Sequence, residues 1–235
     1  MQQNNIRILC TRPLPVSLID EAMGAGIKIE VLPFIETESI LSVEVQQEIQ
    51  QASIQTATVV FTSMNAVDAV TVFLDGHQPE WAIYCIGTAT QKLVKGYFGE
   101  EKIAGTANDA ASLADLIAAD RFIEEVIFFC GNQRRDELPA ILTGNGIGVN
   151  EIMVYQTIAL PHKIDTAYHG ILFFSPSAVE SFFNKNKVPA QTILFAIGNT
   201  TANEIKKFST NKIIISDNPG KENLVEKMKE YFGES

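Results

Sequence analysis

Phe61-Thr62-Ser63-Met64-Asn65-Ala66-Val67 returns 112 residues further on as Phe173-Phe174-Ser175-Pro176-Ser177-Ala178-Val179. In each copy an apolar run ends in a hydroxyl residue and a helical pattern follows. Working outward, Cys85-Ile86-Gly87-Thr88-Ala89-Thr90 is echoed by Ala196-Ile197-Gly198-Asn199-Thr200-Thr201 at an offset of 111, and Ser112-Leu113 by Asn223-Leu224 at the same offset. A second pairing has a different spacing. Gly26-Ile27-Lys28-Ile29, followed by Phe34-Ile35-Glu36-Thr37, resembles Gly146-Ile147-Gly148-Val149, followed by Val154-Tyr155-Gln156-Thr157, 120 residues later. Residues near 1–37 therefore resemble 121–157, while 58–120 resemble 171–231. Two copies of such long units do not make a solenoid.

Short runs rich in Ile, Val and Phe fall at 6–10, 58–61, 83–86, 126–129, 171–174, 193–197 and 212–215. Continuous apolar runs of this length suit strands buried on both faces of a parallel sheet. Helix-length segments separate them at 66–74, 90–98, 112–119, 136–142, 178–184, 201–208 and 223–231. Strand alternating with helix reads as βαβ units. The expected fold class is α/β, with two similar doubly wound parallel-sheet domains. An outer, discontinuous domain takes 1–35 plus 160–235, and an inserted domain takes 38–153. The chain then crosses between domains twice, at hinge segments 33–38 and 154–161, and two parallel crossings of similar sequence would pair as a two-stranded hinge. One long single sheet is the competing reading.

The 235 residues are 46% hydrophobic and 20% charged, which excludes wholesale disorder. No apolar run approaches the roughly 18 residues of a membrane span. Met1-Gln2-Gln3-Asn4-Asn5 carries neither a basic region nor an apolar stretch, so no secretory leader is read there and a cytoplasmic location is expected. Eighteen Lys and Arg against 28 Asp and Glu give a net charge of −10, which leaves no basic footprint for nucleic acid. Cys10, Cys85 and Cys130 lie far apart, each in or at the end of an apolar run, and read as buried thiols. His77, His162 and His169 have no metal-ligand spacing, so no metal site is expected.

In open α/β sheets ligands bind beyond the carboxyl ends of the strands. Ser63 and Asn65, Thr90, Ser175 and Ser177, and Thr200 and Thr201 all fall there. Such residues are also preferred helix N-caps, each contributing about 1 kcal/mol, and capping alone would account for any one of them. Together, several helix N-termini form an array of N–H donors suited to a ligand with many carboxylates. Arg12 and Arg134 follow equivalent strands of the two domains, and an Arg fork matches a carboxylate. Tyr155 lies at the second crossing, where its repeat counterpart is Ile35, so packing symmetry does not require the phenol. No Gly-x-Gly-x-x-Gly, Walker-type loop or Gly-x-Ser-x-Gly elbow is present. From the residues alone, a non-catalytic two-domain binder of a polycarboxylate and an enzyme both remain open.

Taken in order, Phe61–Val67, Ile86-Gly-Thr-Ala-Thr90, Gly131-Asn-Gln-Arg-Arg-Asp-Glu-Leu-Pro139, Val154-Tyr-Gln-Thr157, Phe174-Ser-Pro-Ser177 and Ile197-Gly-Asn-Thr-Thr-Ala202 resemble the uroporphyrinogen-III synthase family over nearly the whole chain. The resemblance implies a lyase of heme biosynthesis. It would cyclise the linear tetrapyrrole hydroxymethylbilane to uroporphyrinogen III in the cleft between the domains, with loss of water and inversion of ring D. It implies no metal and no organic cofactor. A monomer is expected, with transient contact to the upstream hydroxymethylbilane synthase and no nucleic-acid or membrane partner. By the same resemblance Tyr155 is the hinge tyrosine that assists hydroxyl departure; a phenol is protonated at neutral pH and can donate. Ser63, Thr90, Ser175, Thr200 and Thr201 fall on family positions that line the cleft. Ala66 stands where many relatives have Gly, and Ile35 rather than a polar residue faces Tyr155 in the repeat.

Overall fold

The β-branched and aromatic runs enter two separate sheets, each covered by helices on both faces. The computed structural model describes residues 6–218 and 220–233; the Met1–Asn5 stretch read above as carrying no leader lies outside them. The described chain runs β1 (Ile6–Cys10), α1 (Val16–Gly24), β2 (Ile27–Val31), β3 (Ile35–Ser39), α2 (Val43–Ser53), β4 (Ala57–Phe61), α3 (Met64–Leu74), β5 (Trp81–Ile86), α4 (Thr88–Phe98) and β6 (Ile103–Ala107). It continues as α5 (Ala110–Ala118), β7 (Glu125–Gly131), α6 (Glu137–Gly144), β8 (Gly148–Ala159), β9 (Gly170–Phe173), α7 (Pro176–Lys185), β10 (Ile193–Ala196), α8 (Asn199–Phe208), β11 (Ile213–Ile215) and α9 (Lys221–Gly233).

The chain divides into two compact units. One, the split unit, joins the residues up to Glu36 with those from Ile158 onward; the other, the inserted unit, is Thr37–Thr157. The split unit's sheet has the order β11-β10-β9-β1-β2, and the second sheet has β3-β8-β7-β4-β5-β6. Read from its far end, the second sheet runs β6-β5-β4-β7-β8, which matches the first strand for strand. Thus β9 corresponds to β4, β10 to β5 and β1 to β7, as the two repeat offsets require. These equivalent strands pair in parallel.

Alternation along each strand sends its residues to two cores. In the inserted unit Val59, Phe61, Ile83, Cys85, Ile127 and Phe129 face α2, α3 and α4, while Val60, Tyr84, Val126, Phe128 and Cys130 face α5 and α6. In the split unit Ile8, Cys10, Leu172 and Phe195 pack with α1 and α9, and Leu9, Ile171, Phe173 and Leu194 with α7 and α8. Two-sided burial explains why these strands read as unbroken apolar runs.

The sequence reading needs correction at several points. The crossings are not parallel. Ile40 N–H donates to Val154 O at 2.9 Å and Leu160 N–H to Phe34 O at 2.8 Å, so one index falls as the other rises, an antiparallel pattern on adjacent strands β3 and β8. Gln156 Nε2 donates to Glu38 Oε1 across the same pair at 2.7 Å. Helices α3, α4, α5, α7, α8 and α9 also begin two residues before the expected starts, because residues ahead of the apolar pattern, such as Met64-Asn65, Thr88-Ala89, Pro176-Ser177 and Asn199-Thr200, are already helical. Strands β2 and β6 and helices α1 and α2 have no counterpart among the expected strands and helices, and β3 corresponds only to the expected hinge segment 33–38.

Candidate functional site

Each sheet presents its carboxyl edge as a row of helix starts, and each row is built locally. In the inserted unit the side-by-side strands β8, β7, β4 and β5 bring Tyr155, Arg134, Ser63 with Asn65, and Thr90 to one edge. Ser63 is the N-cap of α3 and its Oγ accepts from Asn65 N–H at 3.1 Å. Helix α4 differs: its cap is Gly87, at φ 78°, and no side chain caps its first turn. A glycine takes that backbone without cost, and it leaves the first-turn N–H groups unclaimed by any side chain. Asn65 is exposed, whereas Thr90 is buried, only 5% exposed, so its hydroxyl belongs largely to the helix–sheet packing.

The split unit repeats the pattern on β10, β9 and β1. Ser175 caps α7, accepting from Ala178 N–H at 3.2 Å, and its Oγ lies 3.3 Å from Ser177 Oγ. Gly198 stands at the start of α8 with no side-chain cap. Thr200 is exposed on the first turn of α8 and Thr201 is buried. Four of the hydroxyl positions therefore split by depth: Ser63 and Ser175 cap, while Thr90 and Thr201 pack.

The two arginines differ sharply. Arg134 is not turned outward as a free fork; it is paired with Asp136 and Glu151, which hold its proton more tightly than usual. Arg12 is exposed, in no ion pair among the described residues, with its guanidinium 5.8 Å from the centre of the Phe174 ring. Lys221, which sequence reasoning missed, lies beside it: its Nζ donates to Pro13 O at 3.1 Å. Burial, and then the charge of Arg12, depress its pKa. A contact between residues 208 apart leaves no local signal.

Tyr155 is half-buried, and its placement depends on a break in register. In the β7–β8 pairing Cys130 stands opposite Met153, but Gly131 stands opposite Tyr155. The extra residue, Val154, is a β-bulge. Strict alternation would send Tyr155 to the face opposite Val154. Instead both pack on the core that holds Ile152 and Phe129. The phenol ring therefore does contribute to packing, contrary to the expectation from its Ile35 counterpart. Its ring lies over Gly131: a β-carbon built there would meet Tyr155 Cζ at 2.3 Å and Cε2 at 2.4 Å. Beside it Asn132 N–H donates to Tyr155 O at 3.3 Å.

Among the described residues no group of three His, Cys, Asp or Glu side chains could hold a metal ion, and no helix is long and apolar enough to cross a membrane. Cys10, Cys85 and Cys130 are buried free thiols, each pushed by burial up to about 11. None is poised as a nucleophile.

Comparison with known proteins places the chain in a family. A family model described as Uroporphyrinogen-III synthase HemD matches residues 17–226. The Uroporphyrinogen-III synthase of Saccharomyces cerevisiae is 24% identical over 175 residues, 63% of this chain and 64% of the yeast protein. The chain thus spans just under two thirds of that relative's length. A mutant Uroporphyrinogen III Synthase from the extremely thermophilic bacterium Thermus thermophilus has the same fold, with a TM-score of 0.69 at 14% identity and 97% coverage of both chains. The uroporphyrinogen-III synthetase from Helicobacter pylori gives 0.66 at 16% identity, over 96% of this chain and 99% of that one. With the family pattern running through both units, this chain belongs to the uroporphyrinogen-III synthase family.

Proposed function

We propose that the chain closes hydroxymethylbilane to uroporphyrinogen III, releasing water and inverting ring D. The observation that carries this reading is the family match over residues 17–226, which takes in the helix starts of both sheets and Tyr155. The two carboxyl edges suit a substrate with many carboxylates. Helix α4 and helix α8 each begin at a glycine with no side-chain cap, and such N-termini attract anions. Arg12 adds a guanidinium that no acidic side chain among the described residues claims, while Arg134 would have to leave Asp136 and Glu151 to do the same. Ser63, Asn65, Ser175, Ser177 and Thr200 offer hydroxyl and amide groups close to these starts. Thr90 and Thr201 take part mainly through the helix turns they hold in place.

In the chemical step Tyr155 gives its phenolic proton to the departing hydroxyl, which leaves as water and generates an azafulvene. The substituted carbon of ring D attacks this electrophile and forms a spiro intermediate. Fragmentation and reclosure deliver the inverted ring, and the proton released as the last pyrrole regains aromaticity restores the phenol. The larger part of the acceleration comes from holding a flexible chain in reactive geometry. The same restraint delays the simpler closure to the type I isomer.

The test is a coupled assay. Hydroxymethylbilane is generated in situ with and without the protein, and the porphyrin isomers are separated after oxidation. Predominantly type III product in the presence of the protein is expected. Type I alone, as in the blank, would refute the activity; tight substrate binding without turnover would then identify a polycarboxylate-binding protein instead.

A further inference from the structure

The end of β7 carries a side chain whose hydrogen bonds neither packing nor capping requires. Beyond Gly131 the main chain of β7 turns away, with Arg134 N–H donating back to Gly131 O at 3.1 Å, while β8 continues for four more residues to Ala159. The groups of β8 past Tyr155 would lose their ladder on that side. The Asn132 side chain takes the ladder over. Its Oδ1 accepts from Thr157 N–H at 2.9 Å and its Nδ2 donates to Thr157 O at 3.3 Å. A primary amide carries the same donor and acceptor as a peptide group, so it can act as one more rung of a strand. With the main-chain bond from Asn132 N–H to Tyr155 O, one exposed residue holds β8 on both sides of Gln156.

We infer that Asn132 is a positioning residue for Tyr155: its amide rung fixes the stretch Tyr155–Thr157 against Gly131, so that the tyrosine next to the bulge keeps one orientation. Asn132 is exposed and covers little apolar surface, so its three bonds serve geometry more than burial. On the far side of β8, Gln156 is tied to Glu38, which leaves Asn132 as the restraint facing β7. This inference rests on the reading of Tyr155 as the proton donor.

The experiment compares the full-length chain with Asn132→Ala, Asn132→Asp, Tyr155→Phe and the double variant Asn132→Ala/Tyr155→Phe in the coupled isomer assay, with thermal melting to confirm folding. Asn132→Ala is expected to lower kcat on the order of tenfold at nearly constant KM, and to raise the share of type I product, because misplacing a catalytic group costs rate more than binding. Asn132→Asp keeps the acceptor for Thr157 N–H but turns a second oxygen toward Thr157 O, and should fall between the wild type and Asn132→Ala. The double variant should be no slower than Tyr155→Phe alone, since a positioning residue has nothing left to position. Losses that multiply in the double variant would mean a general structural role and would overturn the inference. So would a folded Asn132→Ala with unchanged kcat while Tyr155→Phe is impaired. If Tyr155→Phe itself is unimpaired, the proton-donor reading falls and the inference falls with it; the single variants tell the two failures apart. Should Asn132→Ala fail to fold, Asn132→Asp carries the same comparison.

Discussion

Gly131→Ala adds one methyl group at the place where the tyrosine ring rests. The added β-carbon would sit 2.3 Å from Tyr155 Cζ, 2.4 Å from Cε2 and 2.8 Å from the phenolic oxygen. Carbon atoms in contact settle at about 3.5–4.0 Å, so the ring has to retreat by more than about 1 Å. Gly131 does not occupy the left-handed region, so alanine introduces no backbone strain and the methyl contact is the whole perturbation. A catalytic group displaced by roughly 1 Å loses on the order of 100-fold in rate. Overpacking should also cost about 1–3 kcal/mol of stability. The coupled isomer assay, run beside a thermal melt, separates the two effects. The expected result is a folded protein whose kcat falls about 100-fold with KM little changed, and whose loss is not deepened by adding Tyr155→Phe. A folded Gly131→Ala with turnover within about twofold of wild type would refute the placement of the phenol at the reacting hydroxyl.

Other expectations follow from the same geometry. Removing the cap with Ser63→Ala should destabilise by about 1 kcal/mol, whereas Ser63→Gly should cost only a few tenths; equal losses of activity in both, measured beside their melting curves, would show that the hydroxyl meets substrate rather than merely capping α3. Thr90→Val removes the hydroxyl of a buried residue at nearly the same shape, so turnover of the folded variant should stay near wild type if packing is the main role of Thr90; a loss of about tenfold at unchanged stability would contradict that. Glu30 accepts from Tyr168 at 2.6 Å and from Arg7 at 2.8 Å, and these partners, Tyr168 first, hold it down to about 2. Its folded pKa lies below its ordinary value, so its contribution is complete above about pH 4.5 and is lost as pH falls toward 2. At 30% exposure, Glu30→Gln should cost about 1 kcal/mol near neutral pH and progressively less through that window in acid titrations of stability. Finally, a thiol reagent at about pH 8 should modify Cys10, Cys85 and Cys130 only on unfolding, since burial holds all three near 11; prompt labelling of the native protein would count against this packing.

The doubly wound order was legible because every central strand is buried on two faces and therefore shows as an unbroken apolar run. The elements that escaped notice lie at sheet margins. Strand β6, Ile103-Ala-Gly-Thr-Ala107, is an edge with little apolar surface to bury, and so is strand β3, Ile35-Glu-Thr-Glu-Ser39, which was legible only as a hinge crossing. Helix α2 is mostly polar, with Ile49 and Ala52 on its buried side. The helix-start hydroxyls were legible as candidates, but their depth was not. Whether a hydroxyl residue caps, as Ser63 does, or packs, as Thr90 does, depends on where the helix begins, and the apolar pattern put that two residues too late. The orientation of Tyr155 follows from a bulge at Val154, which no periodicity announces. Arg134 was legible as a residue beyond a strand, but Glu151, its partner on the neighbouring strand, was not. Asn132 and Lys221 act through partners 25 and 208 residues away, and such pairings become visible only once the sheets are assembled.

The split of one unit around the other has a consequence for how the protein is made. Thr37–Thr157 is contiguous and can close its sheet as soon as β8 has left the ribosome. Strands β1 and β2 are synthesised first yet must wait for β9; Thr11 Oγ1 reaches its acceptor, Leu172 O, across 161 residues. Until then the residues ahead of Thr37 are a tether with an unpaired strand edge, and the finished insert is a preformed bridge that brings their partners close. A nascent chain halted just after Thr157 would carry one protease-resistant body and one exposed pair of strands, and β9 would be the piece that ends the wait.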